Sequence, residues 1–180
     1  DGDGRTDQWG IQVGNSTESG WGPFVLSNGG RWINDDRTKT LLDSEEAIQA
    51  IKWVTDNICE LKIQPKSGEV TLPPGVTDSF AAGMVGMQVK GSWMVRQYKA
   101  IKAFEWDIVP IPKSPYTGER MTTYNANPNW GYAKTKHPEE TWLLLKWFAN
   151  EESQRIIGEG EIKIPQLKSV ANDIRGYMAP

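Results

Sequence analysis

The chain has 180 residues, of which 20 are basic and 23 are acidic, so its formal net charge is −3. That length supports one or two domains, and the balanced charge gives no electrostatic case for a nucleic acid or an anionic membrane as a partner. The single cysteine, Cys59, excludes an intramolecular disulfide, and with one histidine, His137, a metal site built on His or Cys pairs is excluded by count. We therefore expect neither a metal nor another cofactor.

Two elements are predicted in the first third of the chain. Alternating apolar residues predict a strand over Gln8–Val13. A helix is predicted from about Ser44 to Leu61, because apolar residues recur at spacings of 4, 3, 4 and 3. Asp43 and Glu46 resemble a capping arrangement at its start, and Cys59 is interpreted as a small apolar residue on its inner face. The predicted inner face consists of Ala47, Ile51, Val54, Ile58 and Leu61.

The segment from Phe80 to Lys113 is the most informative part of the sequence. Its apolar run Met84–Val89, bounded by glycines, predicts a strand buried on both faces. A helix follows from about Ser92, and a second strand is predicted at Trp106–Ile111. This order predicts a βαβ crossover. Trp93 would then lie at the carboxyl edge of the sheet, where ligands of open α/β folds usually bind.

The last third of the chain is predicted to be a loop followed by helices. Residues 114–129 are rich in Pro, Gly, Thr and Asn and read as a polar loop. Pro138 favours a helix start and predicts a helix to about Glu151, with a second helix to Gly158. Residues 162–180 show no clear period and are expected to be irregular, with one helical turn at most.

Four segments carry a resemblance to a known family. They are Trp21–Phe24 with Ser27–Gly30, then Leu42–Ala47, then Phe80–Pro112 with its Gly91-Ser92-Trp93 corner, and finally Lys136–Trp142. In this order, over roughly residues 7 to 160, they resemble the extracellular (family 1) solute-binding proteins of ABC transporters, in the sugar-binding group related to maltose-binding protein.

The resemblance implies an α/β fold, with a periplasmic-binding-protein-like (type II) lobe whose mixed sheet is flanked by helices. It also implies a fragment that lacks the amino-terminal part. Residues 1–104 would form most of the carboxy-terminal lobe, residues 105–155 would complete the amino-terminal lobe, and residues 156–180 would return to the carboxy-terminal lobe or form a tail. We expect exposed apolar surface on residues 105–155, and we expect the fragment to self-associate because association would cover that surface.

In function, the resemblance implies the substrate-binding component of an ABC transporter, which captures a sugar or oligosaccharide outside the membrane. Its partners would be the small-molecule sugar and the membrane permease subunits, with no nucleic acid. Its location would be periplasmic or extracellular, either soluble or lipid-anchored to the cell membrane.

The nine tryptophans divide between packing and recognition. Four lie within two residues of Gly, Ser or Asn in predicted loops or element ends: Trp21, Trp32, Trp93 and Trp130. Indole rings suit the apolar faces of a pyranose, and nearby Asn and Ser side chains suit its hydroxyls. The resemblance implies ligand contacts by Ser92 and Trp93 at the corner, by Asn127, Asn129 and Trp130 in a loop, and by Trp21. The loop departs from the family pattern by having Asn and Pro in place of a glycine pair, and structural packing remains the alternative for Trp21 and Trp32.

Two other classes of protein stay open. A secreted carbohydrate-active enzyme or carbohydrate-binding module would also be rich in tryptophan, although such a module would normally be all-β. A plain interaction domain without a small ligand is the third class. We expect no catalysis, because Cys59 and His137 are far apart in sequence and no phosphate loop occurs; only a two-carboxylate glycosidase survives the residue count.

Overall fold

The computed structural model describes residues 6–174. It divides into two compact units, one formed by the described residues up to 91 with 109–125, the other by 92–108 with the described residues from 126. The chain passes from one unit to the other after Gly91, Ile108 and Asn125. How these units relate to the lobes of an intact two-lobed protein stays a prediction.

The first unit contains a parallel pair of strands, β1 (Trp9–Val13) and β2 (Val85–Val89). Val13 lies opposite Val89 in this register. The other edge of β1 is capped by a side chain, because the amide of Gln64 accepts a hydrogen bond from Val13 N–H (3.0 Å) and donates one to Val13 O (3.1 Å). Gln64 is buried, so this edge is satisfied without a third strand. The α/β class is confirmed, with the described part of the sheet being this parallel pair.

Two helices complete the core of the first unit: α1 (Gly22–Ser27) and α2 (Glu45–Cys59). Apolar side chains from β1 and both helices pack together there, and the buried members are Val13, Phe24, Val25, Ala47, Ala50 and Val54. The ring of Phe24 lies 4.8 Å from that of Trp53, centroid to centroid. This cluster holds the sheet against α2.

The Ser27–Gly30 turn connects three parts of the first unit. Buried Asn28 donates through Nδ2 to Glu46 O at 2.8 Å and accepts from Ser114 Oγ at 2.7 Å. Buried Ser27 accepts from Met121 N–H at 2.9 Å. The turn therefore fastens both α2 and the 109–125 segment to the end of α1.

The second unit begins with a 3₁₀ turn, Ser92–Met94, and contains four helices in the described residues. They are α3 (Val95–Tyr98), α4 (Pro138–Phe148), α5 (Glu151–Glu159) and α6 (Lys168–Asp173). Asn150 caps α5 by accepting from Ser153 N–H at 2.9 Å. Buried Gln154 donates to Phe148 O and accepts from Gln166 N–H, which joins α5 to the chain on either side.

Most predicted elements are confirmed to within a few residues. They include β1, β2, α2 and the restart of the helix at Glu151. The tail contains α6, a helix of six residues; the rest of the tail prediction, residues 175–180, lies outside the described residues.

The predicted strand at Trp106–Ile111 is wrong. The segment has no regular secondary structure and no strand partner in the described residues, it crosses from one unit to the other after Ile108, and Val109 is 76% exposed. A strand needs a neighbour for its backbone hydrogen bonds, and the apolar pattern alone does not supply one. The βαβ crossover predicted from β2 to Trp106–Ile111 is therefore absent from the described residues, whereas the parallel strands β1 and β2 are themselves joined through α1 and α2.

Four smaller expectations are also corrected. β2 is not buried on both faces, since Met87 is exposed and, among residues 6–174, β1 is the one strand beside it. Cys59 is the last residue of α2 and lies two positions after buried Asn57, so it is on the opposite, exposed side of the helix. Leu61 is exposed because it lies beyond the end of α2. The cap of α2 is Ser44, whose hydroxyl accepts from Ala47 N–H at 3.3 Å, instead of the Asp43–Glu46 arrangement.

Among residues 6–174, no helix combines the length and the apolar character that crossing a membrane requires.

Candidate functional site

Ser92 and Trp93 lie together on the 3₁₀ turn of the second unit, a few residues after the end of β2 in sequence. Val95 and Tyr98 of α3 are buried and anchor the segment that follows the turn. The indole of Trp93 is 45% exposed. A large aromatic ring thus lies half in solvent on a short, anchored turn, as a stacking surface requires.

Asn127, Asn129 and Trp130 lie in the irregular segment before α4, and all three are exposed. Trp130 is 83% exposed. The next residue, Gly131, packs on α4 so closely that a Cβ there would lie 3.1 Å from Thr141 Cγ2. The loop is therefore held against α4 at Gly131, and the side chains of Asn127, Asn129 and Trp130 before it are exposed. No hydrogen bond or ring contact joins this loop to the Trp93 turn within the described residues.

Trp21 belongs to the first unit and has a packing role there. It is the N-cap residue of α1, and its half-buried indole packs against the core cluster. Its ring meets that of Trp32 edge to face, with centroids 6.3 Å apart and planes at 90°. Part of the ring remains accessible, but most of its contact surface faces protein.

An open cleft of about 240 Å³ lies beside this pair of rings, within the first unit. Its lining residues include the aromatic residues Trp32 and Tyr124 and the acidic residue Glu18. The other lining residues are Thr17, Leu26, Thr122, Thr123 and Asn125. Their hydroxyl and amide groups can exchange hydrogen bonds with a polyol.

Sequence reasoning missed most of this cleft. Trp32 was predicted only as one of four loop tryptophans, and neither Glu18 nor Tyr124 was predicted as a site residue. The two walls are far apart in sequence: Thr123 Oγ1 donates to Glu18 O across 105 residues. The tyrosine flanked by Thr and Asn at 122–125 could have indicated a sugar-binding segment, but no local pattern indicates which other loop lies opposite it.

The described residues offer little for catalysis. They contain no group of three or more His, Cys, Asp and Glu side chains placed to hold a metal. His137 is exposed at the start of α4, 3.8 Å from Glu140. Glu18 is the only carboxylate among the cleft residues, whereas a glycosidase needs two carboxyl groups across its substrate.

The family model for bacterial extracellular solute-binding proteins matches residues 1–155. Among curated proteins, none matches the chain.

Several solved structures share the fold. An ABC substrate-binding protein from Listeria monocytogenes in complex with cycloalternan is similar over 99% of this chain and 44% of its own, at a TM-score of 0.74 and 17% identity. An ABC transporter solute-binding protein from Thermotoga lettingae bound with α-D-tagatose is similar over 94% of this chain and 44% of its own, at 0.71 and 17%.

A third structure is the maltose/maltodextrin-binding domain MalE from Bdellovibrio bacteriovorus bound to maltotriose. It is similar over 99% of this chain and 50% of its own, with a TM-score of 0.63 and 22% identity. At these identities the similarity establishes the fold, which is that of periplasmic-binding-protein-like (type II) proteins. The chain spans half or less of the length of each of these structures.

Proposed function

The chain belongs to the family of bacterial extracellular solute-binding proteins, and on that premise we propose that the intact protein is the sugar-binding component of an ABC transporter. It captures a sugar or oligosaccharide in the periplasm or outside the cell and delivers it to membrane permease subunits. The observation that carries the proposal is the family match over residues 1–155. The sugars held by the structures of similar fold, cycloalternan, tagatose and maltotriose, support carbohydrate as the class of ligand.

The exposed aromatic residues support the same class. Trp93 and Trp130 are 45% and 83% exposed; Trp93 lies on a 3₁₀ turn, and Trp130 precedes Gly131, which packs against α4. Ser92, Asn127 and Asn129 stand next to them with hydroxyl and amide groups. A pyranose needs this combination, because its ring faces are apolar and its rim carries hydroxyls. We assign stacking to Trp93 and Trp130, hydrogen bonding to the three polar residues, and a supporting contact to Trp21.

The proposal includes no turnover of the ligand. The family is one of solute-binding proteins, not enzymes. In the described residues, the exposed Cys59 and the exposed His137 belong to different units, so neither unit pairs a thiol with a base. A carbohydrate-active enzyme would require a second carboxylate facing Glu18, and the cleft residues include none.

The test is a binding screen on the protein made from its complete coding sequence. Isothermal titration calorimetry would compare maltose, maltotriose, α-D-tagatose and cycloalternan with amino acids and short peptides. We expect at least one sugar to bind and the amino acids and peptides not to bind. Binding of a peptide or an amino acid without any sugar would overturn the carbohydrate class.

We also propose that the 180-residue chain on its own self-associates through α4. None of its residues is buried, and Trp142, Leu143, Leu144 and Trp147 are all exposed. An uncovered apolar helix in water favours association. Sedimentation velocity should show dimers or larger species, and Leu144→Glu should shift the chain toward the monomer. Leu61→Glu, at an exposed leucine of the first unit, is the control. A wild-type chain that stays monomeric at high concentration would contradict this.

A further inference from the structure

We infer that the cleft of the first unit is a subsite for one neutral pyranose ring, stacked between Trp32 and Tyr124 and hydrogen-bonded by Glu18. This inference rests on the proposed function and adds a ligand class and three residues to it. Every lining residue belongs to the first unit, whereas the Trp93 turn and the Trp130 loop belong to the second.

The walls of the cleft are held in place by hydrogen bonds and by tight turns. Thr123 Oγ1 donates to Glu18 O, and Met121 N–H donates to the buried hydroxyl of Ser27 at 2.9 Å. The wall carrying Thr17 and Glu18 folds back on α1 so closely that a Cβ on Gly22 would overlap the carbonyl group of Thr17. A preformed wall lowers the entropic cost of binding.

The aromatic surface is placed for stacking. Trp21 meets Trp32 at 90° and so fixes the orientation of its indole. Tyr124 is 91% exposed and stands at the rim. Within residues 6–174, neither the Trp32 indole N–H nor the Tyr124 hydroxyl has a hydrogen-bond partner, so both can serve a ligand. A half-buried indole and an exposed phenol, each with a polar group free for a ligand, suit a ring with apolar faces and hydroxyl edges.

The volume and the charge of the cleft limit the ligands that it can bind. The volume of about 240 Å³ is below the ~300–1,000 Å³ of sites that enclose drug-sized ligands, so the cleft accommodates one sugar ring. Glu18 is its only charged lining residue. A carboxylate accepts hydrogen bonds from neutral hydroxyls but repels a phosphate or a second carboxylate. The cleft should therefore take neutral hexoses or the neutral end of an oligosaccharide, and reject sugar phosphates and uronic acids.

Tyr124→Ala is the decisive variant, because a residue this exposed can be truncated without loss of fold. Tyr116→Ala is its control, since Tyr116 is an exposed tyrosine of the same 109–125 segment outside the cleft. In calorimetry on the protein from the complete coding sequence, the tightest sugar of a panel of glucose, galactose, xylose, maltotriose and cellotriose should bind about tenfold more weakly to Tyr124→Ala and to Glu18→Gln. Tyr116→Ala should bind like the wild type.

A second measurement reports on the cleft directly. With 3-fluorotyrosine incorporated, the ¹⁹F resonance of Tyr124, assigned by its loss in Tyr124→Phe, should shift on addition of that sugar while the Tyr116 resonance stays. Glucose 6-phosphate and glucuronic acid should shift neither. If a sugar binds but the Tyr124 resonance and the Tyr124→Ala affinity are unchanged, the subsite is refuted and the proposed function stands. If no sugar of this panel or of the binding screen above binds, the proposed function fails and the subsite with it.

Discussion

Replacing Asn28 by alanine should destabilise the first unit by about 2–4 kcal/mol. The side chain is buried and makes three hydrogen bonds: to Glu46 O at 2.8 Å, to Gln49 Oε1 at 3.2 Å and from Ser114 Oγ at 2.7 Å. A hydrogen bond contributes ~0.5–1.5 kcal/mol net, and a buried hydroxyl left without its acceptor costs ~1–3 kcal/mol. Ser114 is also buried, so the upper part of the range applies if water cannot reach it.

The assay is amide hydrogen exchange read peptide by peptide, because with two compact units a single free energy of unfolding is not well defined. Peptides from 109–125 and from the start of α2 should exchange faster in Asn28→Ala, and peptides from α5 should not change. Asn15→Ala, at an exposed asparagine of the same unit, is the matched control and should stay within about 0.5 kcal/mol of the wild type. The double change with Ser114→Ala should be less than additive. Unchanged exchange over 109–125 in Asn28→Ala would refute the role assigned to this turn.

Three further predictions follow from the site and the surface. Trp93→Ala should weaken sugar binding to the protein from the complete coding sequence by roughly 2 kcal/mol or more with the fold retained, while Trp142→Ala leaves the affinity unchanged; equal affinities in calorimetry would contradict this. Incubation with aryl glycosides and oligosaccharides should release no product, and cleavage abolished by Glu18→Gln would favour an enzyme. The pKa of Asp36 lies below its ordinary 3.8 because the Thr38 hydroxyl and backbone N–H donate to the carboxylate. The hydrogen bonds of Asp36 should therefore stabilise the 34–38 turn fully above pH 3.8. This stabilisation should be lost as the pH falls through the lowered pKa. An NMR titration of the Asp36 carboxyl carbon with its midpoint at or above 3.8 would contradict it.

The elements predicted well from the sequence are those whose stability is largely local. The 4, 3, 4, 3 spacing located α2 because an amphipathic helix makes its own hydrogen bonds and needs only one covered face. The same spacing failed at Leu61, where the helix had already ended at Cys59. A periodic pattern indicates a face and does not specify where the last turn stops.

The elements predicted poorly depend on distant partners. The apolar run at Trp106–Ile111 has the composition of a strand, but a strand is completed by a neighbour, and none pairs with it in the described residues. Gln64 gives the opposite case, because a polar loop residue occupies the edge of β1 through its side-chain amide. Both outcomes depend on residues brought together from separate parts of the chain, which a single sequence does not reveal.

The Ser27–Gly30 turn is one of the segments that carry the family resemblance, and its residues have structural roles. Gly29 has a φ of +83°, and a Cβ on Gly30 would lie 3.0 Å from Val25 Cγ1 and 3.1 Å from Ala47 N, so the turn requires glycines to bring α1 against α2. Asn28 is used for hydrogen bonds within the fold, and the indole of Trp21 packs on the core. The residues that made this segment recognisable are thus occupied in folding. Because a side chain held in the core cannot change with the ligand, we expect the choice among sugars to depend on exposed groups such as Trp93 and Tyr124.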